Sequence, residues 1–551
     1  MAYIKALQYS HMYAEVILQR RLPSSFATLT YEIPVGIKLT QGQIIEVPFG
    51  KKNLAALVLK TTNIKPKFAT KSINKITETI LPRKQFELAV WMSKRYKVSG
   101  NITFHFFIPK MIWKHSLINK APKKLDIELS DKTTLTDRNI SLDKLVNTFF
   151  IQKGTALILE KTKIERKKLY ELINKKTPKN AQTLVLVPEQ LFAEQLSVKL
   201  PTYFGTLAEG KKERVWHAAN DGSLKTIVGT RAALFLPYKN LKCIVLDFSE
   251  NQSYQEQRAP FYHTQEIAEE LSKIYKCPLI IISSAPLVTT WYKTAKNRQI
   301  WEEIATPVQI TDMENERKKG NFSLFSEELI TGITNRLIKN EQTLLVMNRV
   351  GTASALFCTD CHSVFRCNRC MMPFAVHANN ILRCDKCKRV EPTPESCPGC
   401  GNIQLKPLGF GTEKIESELK KRYSKAKIIR LDRDTIEGGR KKQALSFAPE
   451  SLDKADIIVA TQIVAKPLEL KRLTLAAVLY PDQMLQFADY RVGERILRVL
   501  NSVRLLVNNG QMILQTFLPD HPLFNSFANN TPEKFYEEEL KTRKSLGLPP
   551  F

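Results

Sequence analysis

The chain has 551 residues, of which 43% are hydrophobic, and a prior of roughly 100–200 residues per domain predicts three or four domains with packed cores. Lys and Arg outnumber Asp and Glu by 83 to 54, and the net charge of +29 favours a nucleic acid or another anionic surface as partner. Because no apolar run approaches the roughly 18–20 residues of a membrane span and the N-terminus lacks a signal-peptide pattern, we expect a cytoplasmic protein that does not engage membranes.

Residues 1–113 are predicted to form a small β-rich domain. After Pro23, the segments TLTYEIP, QIIEVPF and LAALVLKTT have alternating or continuous apolar patterns and are separated by glycines. A helix is expected from about Arg83 to Tyr96, because apolar residues recur there on one face. Residues 114–147 contain few large apolar residues and many charges, which indicates a linker.

Residues 148–305 show an α/β pattern. The four apolar runs TLVLVP, KTIVGT, KCIVLDF and PLIIISSA alternate with helical stretches such as Gln190–Leu200 and Thr264–Tyr275. This alternation predicts a parallel sheet covered by helices. A second α/β unit is expected over residues 306–551, with strands at TLLVMN, KIIRLD, DIIVATQ, LAAVLYPD and MILQTF, and a cysteine-rich segment interrupts it at residues 356–402.

The cysteine-rich segment contains four Cys-x-x-Cys pairs and eight of the ten cysteines of the chain. Two such pairs supply the four thiolates that a tetrahedral zinc ion requires, so the segment predicts two structural Zn²⁺ sites. Disulfides, redox dithiols and iron–sulfur ligation are the alternatives, and the regular spacing within one segment favours zinc over each of them. His362 and His377 are surplus to two complete sets and are interpreted as bystanders. The predicted ligands are Cys358, Cys361, Cys367, Cys370, Cys384, Cys387, Cys397 and Cys400.

Motifs in a fixed order give the chain a resemblance to a known family. They are TYEIP and GQIIEVPFGKKNLAALVLK, LVLVPE, VGTRAALFLPYKNLKCIVLD, QSYQEQRAPFYH, NRVG before the cysteines, LGFGTEKIESEL, RLDRDT, ATQIVAKP, DYRVGER and FYEEELKTRKSLGLPPF. The chain resembles the bacterial replication-restart helicase family of PriA, or primosomal protein N′, over nearly its whole length. The resemblance implies an α/β multidomain protein with an N-terminal domain that holds a 3′ DNA end, two RecA-like superfamily 2 helicase lobes and a zinc-binding insertion in the second lobe. It also implies that Cys358, Cys361, Cys397 and Cys400 hold one zinc ion and the four cysteines between them the other.

The ATP-binding motifs of the family are altered in this chain. A P-loop needs glycines that let backbone N–H groups surround phosphate, a Lys for the phosphate charge and a Ser or Thr for Mg²⁺. The corresponding stretch, LILEKTKIERKKLYELINKK, has no glycine, and if Tyr170 aligns with the family's tyrosine, Arg166 replaces the Lys and Lys167 the Thr. An active site for ATP and Mg²⁺ is therefore not expected here.

The other two ATP elements of the family are also changed. The family's Asp-Glu-Glu-His reads Asp247-Phe248-Ser249-Glu250, so the carboxylate next to Asp247 is lost and Glu250 is displaced along the chain. NSVRLLVNNG stands where the family has its arginine finger, and Arg504 is the one candidate there. Since three parts of one site are altered together, we expect no ATP turnover, with Asp247, Glu250, Arg166 and Arg504 as remnants of that site.

The resemblance implies DNA-contacting residues in the first two domains. In the N-terminal domain Tyr31 and Lys51 match the family's 3′-end pocket, although Thr30 replaces a carboxylate that would accept a hydrogen bond from a 3′-OH. In the first lobe the candidates are Arg231, Tyr254, Tyr262 and His263, because aromatic rings stack on bases and arginines pair with phosphates. A purely structural role in the core remains open for Tyr31, Tyr254 and Tyr262.

Three hypotheses follow from the sequence. The first is a PriA-like protein without ATPase activity that binds forked or single-stranded DNA as a scaffold for primosome, single-strand-binding and helicase-loading proteins. The second is a divergent but active ATP-dependent 3′–5′ helicase that uses Arg166 and Glu250 in new roles, and the third is a zinc-ribbon nucleic-acid adaptor. We further expect that the winged-helix domain of the family is reduced or absent at residues 114–147 and that its C-terminal domain is absent.

Overall fold

A computed structural model shows the chain as two compact units. One comprises Met1–Ile158, Ile164–Ser283 and Thr294–Gln299, and the other comprises Leu159–Lys163, Ser284–Lys293 and Ile300–Phe551. The residues that the structure describes are 12–20, 22, 28–118, 140–196, 199–302, 305–347, 355–358, 360–361, 363, 365–369, 374–377, 381–384, 389–408, 412–431, 452–461, 470–486 and 489–551.

The N-terminal domain is a five-stranded antiparallel sheet followed by helices. Its strand order is β2-β1-β4-β3-β5, and the strands are β1 (Met12–Leu18), β2 (Leu29–Ile33), β3 (Gln43–Phe49), β4 (Lys52–Thr62) and β5 (Lys75–Ile80). Three helices follow, α1 (Arg83–Tyr96), α2 (Gly100–Phe104) and α3 (Lys110–Leu117). The three predicted strands and the helix at Arg83–Tyr96 are confirmed, whereas β1 and β5 were not predicted.

The first lobe contains a seven-stranded sheet of order β12-β6-β11-β10-β7-β9-β8. Its strands are β6 (Thr155–Glu160), β7 (Gln182–Leu186), β8 (Thr202–Tyr203), β9 (Thr226–Gly229), β10 (Leu241–Leu246), β11 (Leu279–Ser283) and β12 (Arg298–Trp301). The helices are α4 (Ile140–Phe149), α5 (Arg166–Lys176), α6 (Gln190–Leu196), α7 (Glu209–Asp221) and α8 (Thr264–Tyr275), and α9 (Val288–Lys293) belongs to the second unit. Strands β7 to β11 pair in parallel, as their buried Val, Ile and Leu runs predict.

The N-terminal domain and the first lobe pack together within the first unit. Helix α1 contacts α8, where Arg95 and the Tyr96 hydroxyl both reach the Glu266 carboxylate at 2.6 Å. Helix α3 contacts α7, where His115 Nδ1 lies 2.6 Å from Glu213 Oε1. The linker predicted at 114–147 carries the end of α3 and most of α4, and residues 119–139 lie outside the described part of the chain.

The second lobe contains a fully parallel six-stranded sheet of order β13-β23-β22-β14-β21-β20. Its strands are β13 (Val308–Asp312), β14 (Gln342–Met347), β20 (Ile428–Leu431), β21 (Ile457–Ala460), β22 (Leu473–Leu479) and β23 (Gln511–Thr516). The helices are α10 (Met313–Lys318), α11 (Glu327–Ile338), α12 (Thr412–Arg422), α13 (Val492–Arg504), α14 (Pro522–Ala528) and α15 (Pro532–Ser545). Two such α/β lobes agree with the RecA-like architecture that the resemblance implied.

The cysteine-rich segment is inserted between β14 and α12 of the second lobe. It forms a two-stranded ribbon, β15 (Ala355–Cys358) with β19 (Leu405–Leu408), and a three-stranded meander, β16 (Ala375–His377), β17 (Ile381–Arg383) and β18 (Val390–Pro392). Among the described residues of the whole chain, no helix combines the length and the apolarity needed to cross a membrane.

Candidate functional site

Asp247 lies at the carboxyl end of β10, one of the central strands of the first lobe. Its side chain is fully buried, and its N–H donates to the Leu186 carbonyl at 3.0 Å. Ligand sites of parallel sheets lie at this end of the strands. The position is therefore the one at which a nucleotide-binding carboxylate is expected.

The Asp247 carboxylate is bound by Arg166, the first residue of α5. Arg166 Nε donates to Oδ2 at 2.8 Å and Nη2 donates to Oδ1 at 2.9 Å, which is a bidentate ion pair. The Tyr170 hydroxyl also donates to Oδ2 at 2.7 Å, and the Phe248 N–H donates to Oδ1 at 2.9 Å. Burial raises the pKa of Tyr170 well above its usual value, which keeps its hydroxyl protonated. Four donors thus satisfy one carboxylate.

Aromatic packing closes the surroundings of this pair. The Arg166 guanidinium lies 4.3 Å from the centroid of the Phe248 ring, and that ring contacts Phe192 edge to face at 4.9 Å. Phe248 occupies the place of the family's second carboxylate and has a φ of +51°. Glu250, the nearest other carboxylate in the sequence, accepts a hydrogen bond of 2.6 Å from Ser283 Oγ through its Oε2. The described residues do not fit a bound Mg²⁺–ATP.

Arg504 is held by neighbours in the second unit. Its Nη1 donates to Asn530 Oδ1 at 2.9 Å, its Nη2 donates to Asn501 Oδ1 at 2.7 Å, and its guanidinium lies 4.9 Å from the Phe527 ring centroid. Burial lowers the pKa of Arg504 to about 10. These partners hold the Arg504 side chain in place within the second unit.

The first predicted zinc set comes together at one end of the cysteine-rich segment. The sulfurs of Cys358, Cys361, Cys397 and Cys400 all lie within 4.8 Å of one another. Cys358 Sγ is 3.5 Å from Cys400 Sγ, and Cys361 Sγ is 3.7 Å from Cys397 Sγ. Four sulfurs bound tetrahedrally at about 2.3 Å from a zinc ion stand about 3.8 Å apart, so this arrangement fits a structural zinc site.

The second predicted zinc set is described in part. Cys367 and Cys384 are both buried, and they lie in a small core with Leu356, Phe374 and Leu382. Cys370, Cys387 and His362 lie outside the described residues. A second zinc ion at the inner four cysteines remains a prediction.

The N-terminal domain places its two predicted DNA contacts in different environments. Tyr31 lies in β2 with 5% of its surface exposed, and its hydroxyl donates to the Pro48 carbonyl at 3.0 Å. This is the core position that the sequence left open as an alternative. Lys51 is exposed in the turn between β3 and β4 and remains accessible to a phosphate.

A groove of about 810 Å³ runs between the end of the N-terminal domain and the first lobe. Arg231 lines it together with Phe106, Lys110, Phe235 and Tyr262. The Arg231 side chain is about one-third exposed, and it bonds to Glu256 Oε2 at 3.1 Å and to the Ser253 carbonyl at 2.7 Å. Lys110 and Arg231 give the groove cations that suit the phosphates of a single strand, whereas Phe235 and Tyr262 are buried.

The tyrosines predicted to stack on DNA lie in the core of the first lobe. Tyr254 is fully buried, and its hydroxyl donates to the Asp247 carbonyl at 2.6 Å and to the Leu186 carbonyl at 3.0 Å. Tyr262 is 1% exposed and contacts Phe106 and Phe235 edge to face. The structure therefore shows the structural alternative for both rings.

His263, the remaining predicted contact of this loop, caps α8. Its ring Nδ1 accepts a hydrogen bond from the Gln265 N–H at 3.2 Å. The ring thereby satisfies one of the N–H groups left free at a helix start, which is a structural role.

Phe261, which was not among the predicted DNA contacts, lies in the same loop and is 63% exposed. The loop is closed by bonds from the Glu256 N–H to the Tyr262 carbonyl at 2.9 Å and from the Phe261 N–H to the Arg258 carbonyl at 2.7 Å. Phe261 has a φ of +54°, which is unusual for a bulky residue and is often found at functional sites. The alternation of buried and exposed rings in the loop was not visible in its sequence.

Comparisons with known proteins relate the N-terminal domain, and most of the chain, to one family. A family model described as the PriA 3′ DNA-binding domain matches residues 15–109. The replication restart protein PriA of Bacillus subtilis is 30% identical over 402 residues, which is 69% of this chain and 50% of that protein. The Synechocystis protein of that name is 32% identical over 405 residues, or 68% and 48% of the two chains. The chain thus spans about half the length of these relatives.

A third relative is matched over a larger share of its length. The replication restart protein PriA of Rickettsia conorii is 27% identical over 551 residues, which covers 95% of this chain and 84% of that protein. The similarity therefore runs through both units.

Solved structures give a weaker likeness. The helicase MrfA bound to DNA is 14% identical, with a TM-score of 0.40 over 75% of this chain and 51% of that chain. Dbp5 of S. cerevisiae bound to RNA and ADP BeF3 is 9% identical, with a TM-score of 0.37 over 78% and 93% of the two chains. Likeness of this degree is too slight to carry a functional argument.

Proposed function

We propose that this chain, which belongs to the family of the replication restart protein PriA, binds forked or single-stranded DNA in replication restart without hydrolysing ATP. The match of residues 15–109 to a DNA-binding domain and the net charge of +29 support DNA as the partner.

The observation that carries the absence of ATP turnover is the buried pair of Arg166 and Asp247. Hydrolysis in this class of enzyme needs a carboxylate free to hold Mg²⁺ and a residue that positions the attacking water. Asp247 already accepts four hydrogen bonds, and the neighbouring position is Phe248. Freeing Asp247 would leave Arg166 unpaired in the interior, at a cost of about 3–5 kcal/mol.

The cysteine-rich segment has the features of a docking surface for partner proteins. A zinc ion at the outer four cysteines would hold its two ends together and perform no chemistry, because the site is closed. Arg366, Arg369 and Arg389 are exposed on this segment, and Lys386 and Lys388 lie outside the described residues. Primosome, single-strand-binding and helicase-loading proteins are the proposed partners, and such a role would place the protein in the cytoplasm.

The test is ATP hydrolysis by the purified chain, with and without forked DNA, beside the variant Asp247→Asn. We expect no hydrolysis above that of the variant. Salt-dependent binding of the fork should persist, and Arg231→Gln should weaken it more than Arg83→Gln, a change of equal charge at an exposed site of the same unit.

Two results would contradict the proposal. DNA-stimulated hydrolysis that Asp247→Asn abolishes would establish the divergent helicase, with Arg166 and Glu250 in new roles. Absence of DNA binding by the unaltered chain would remove the scaffold function. An unrelated zinc-ribbon adaptor does not account for the sheets of the two α/β lobes or for the family match.

A further inference from the structure

Strands β11, β10, β7, β9 and β8 of the first lobe are neighbours in this order and run in parallel, so they all begin at one edge of the sheet. The segments that enter them each contain one lysine and no Asp or Glu, and in the same order they are residues 276–278, 236–240, 177–181, 222–225 and 197–201. We call these segments the lysine edge. By contrast, the residues that directly follow β7 and β10 include Glu189, Asp247 and Glu250. The two edges of one sheet therefore differ in charge.

The lysines of this edge follow one another across the sheet. Neighbouring strands lie about 4.8 Å apart, so five strands spread their entering segments over about 19 Å. Asp221 is the acidic residue that adjoins these segments, and its Oδ1 accepts a hydrogen bond from the Ser223 N–H at 2.8 Å. Four of the lysines are exposed and form no ion pair with another described residue, namely Lys179, Lys199, Lys239 and Lys276.

Hydrogen bonds hold the segments of the lysine edge in place. The Asn240 side chain donates from Nδ2 to the Asn180 carbonyl at 2.7 Å, which joins the segments that enter β10 and β7. The Asn240 N–H donates to Gln182 Oε1 at 3.0 Å, and Lys239 Nζ donates to the Asp221 carbonyl at 3.1 Å. Because these groups are ordered before any ligand arrives, less entropy is lost when the edge binds one.

Helix ends explain only a part of this charge. The carbonyl groups at the C-terminus of a helix attract a cation within the last turn, and Lys276 is the C-cap residue of α8. Lys179 and Lys199, however, lie beyond the last turns of α5 and α6. Lys239 follows a 3-10 turn at residues 231–235 and has no α-helix directly before it. The row as a whole therefore points to an anionic ligand.

The lysine edge presents cations without exposed anchors of other kinds. Its segments contain no Arg, and Tyr238, their one aromatic residue, is 1% exposed. Their leucines, at positions 200, 224 and 236, are buried. A single strand gains affinity from bases that stack on aromatic rings, and a protein partner gains it from anchors such as Trp, Tyr and Arg. A DNA duplex keeps its bases stacked inside and presents about eleven phosphates over about 19 Å of its axis. A duplex is therefore the partner that fits this surface.

We propose that the lysine edge binds the phosphates of a DNA duplex, the paired arm of a fork, irrespective of its sequence. The groove beside Arg231 lies at the opposite edge of the same sheet, where Glu189 and Thr230 follow β7 and β9. The five residues of β7 separate the two edges by about 17 Å. The inference rests on the proposed DNA binding of this chain, and it adds a duplex site that lies outside residues 15–109 and apart from the groove.

The experiment measures binding of a dumbbell, a duplex closed by a hairpin loop at each end, by fluorescence anisotropy at several salt concentrations. The dumbbell offers neither a 3′ end nor a long unpaired strand. The edge triple, Lys179→Gln, Lys239→Gln, Lys276→Gln, is compared with a control of equal charge change on exposed lysines of helices in the same unit, Lys94→Gln, Lys144→Gln, Lys167→Gln.

We expect the edge triple to lower the slope of log affinity against log salt by about two to three, at about 0.9 per phosphate contact, and the control triple to lower it by less than about one. The triple Lys179→Arg, Lys239→Arg, Lys276→Arg should retain the slope of the unaltered chain, because the charges stay in place. Binding of a single-stranded oligonucleotide should change equally little in the edge triple and in the control triple.

A second measurement uses the unaltered chain and does not depend on the folding of a variant. Lysines are acetylated with and without the dumbbell and are identified by mass spectrometry. We expect the dumbbell to protect Lys179, Lys239 and Lys276 and to leave Lys144 reactive. Protection by poly-glutamate but not by the dumbbell would overturn the inference and identify an acidic protein as the ligand.

The outcomes separate this inference from the proposed function. An unaltered chain that binds single-stranded or forked DNA but not the dumbbell overturns the inference alone. The same holds for a dumbbell affinity that depends on salt equally in the edge triple and in the control triple. An unaltered chain that binds none of the three DNA molecules overturns the proposed function as well.

Discussion

Arg166 and Asp247 stand 81 residues apart in the sequence and meet in the interior of the first lobe. The sequence shows that Arg166 replaces the Lys of one ATP motif and that Asp247 is retained from another. It does not show that the two side chains pair. Their contact depends on how β10 and the start of α5 are placed by the sheet. The altered motifs predict the loss of an ATP site, and the structure shows that Arg166 and Asp247 form an ion pair at that position.

Breaking this pair should destabilise the first unit. Arg166→Met leaves Asp247 buried with only the Tyr170 hydroxyl and the Phe248 N–H as donors, and we expect the free energy of unfolding to fall by about 3–5 kcal/mol. Thermal unfolding followed by calorimetry measures the change. The exposed neighbour Lys167→Met is the control and should change the free energy of unfolding by less than about 0.5 kcal/mol.

The double variant Arg166→Met, Asp247→Leu separates pairing from packing. Both charges are then absent, so no unpaired ion remains, and we expect most of the lost stability to return. A double variant as unstable as Arg166→Met would show that shape, and not the unpaired carboxylate, causes the loss.

At the scale of elements, regular periodicity determined what could be predicted. Helices Arg83–Tyr96 and Thr264–Tyr275 were predicted with their observed bounds, because their apolar residues recur on one face. Strand β6 was missed, because TALILE runs directly into the lysine-rich stretch before α5. The buried or exposed state of each ring in the loop before α8 depends on tertiary contacts such as those of Tyr262 with Phe106 and Phe235.

The cysteine spacing predicts four-thiolate zinc sites, since two Cys-x-x-Cys pairs supply four thiolates wherever the chain brings them together. The structure brings together the outer set, Cys358 and Cys361 with Cys397 and Cys400, across some forty residues. The sequence alone did not exclude other combinations of the four Cys-x-x-Cys pairs.

Zinc content should follow this pairing. The unaltered chain is expected to carry two ions, and Cys361→Ser should lower the content by about one ion per chain because it removes a ligand of the outer set. Metal analysis of the purified protein by mass spectrometry measures it. Cys277→Ser, a buried cysteine of the first lobe, is the control and should keep both ions.

A Cys361→Ser protein with the full zinc content of the unaltered chain would contradict the assignment. Chelation should also abolish the amide protection of β15 and β19, because closed sites of this kind supply the folding energy of small modules.

At the scale of the whole molecule, the N-terminal domain and the first lobe behave as one unit. Contacts of α1 with α8 and of α3 with α7 join them, and the Trp216 indole N–H of α7 donates to the carbonyl of Phe107, which lies between α2 and α3, at 2.9 Å. The sequence predicted two domains separated by a linker, and it gave no sign of these contacts, which connect residues about 100 to 170 positions apart. The groove beside Arg231 exists because of this packing.

Ligands that bind only the folded chain raise its stability by an amount set by their concentration relative to the dissociation constant, about 2.7 kcal/mol at one hundred times that constant. Single-stranded or forked DNA should therefore raise the unfolding temperature of the unaltered chain, whereas Mg²⁺–ATP should leave it unchanged because Arg166, Tyr170 and Phe248 occupy the surroundings of Asp247. Differential scanning fluorimetry with each ligand measures both effects, and Mg²⁺ with inorganic phosphate serves as the ionic control. Mg²⁺–ATP could instead raise the unfolding temperature of the unaltered chain but not that of the double variant Arg166→Met, Asp247→Leu. This result would show that nucleotide binds beside the buried pair despite the four donors on its carboxylate. Binding without hydrolysis would then have to be explained by the missing second carboxylate alone.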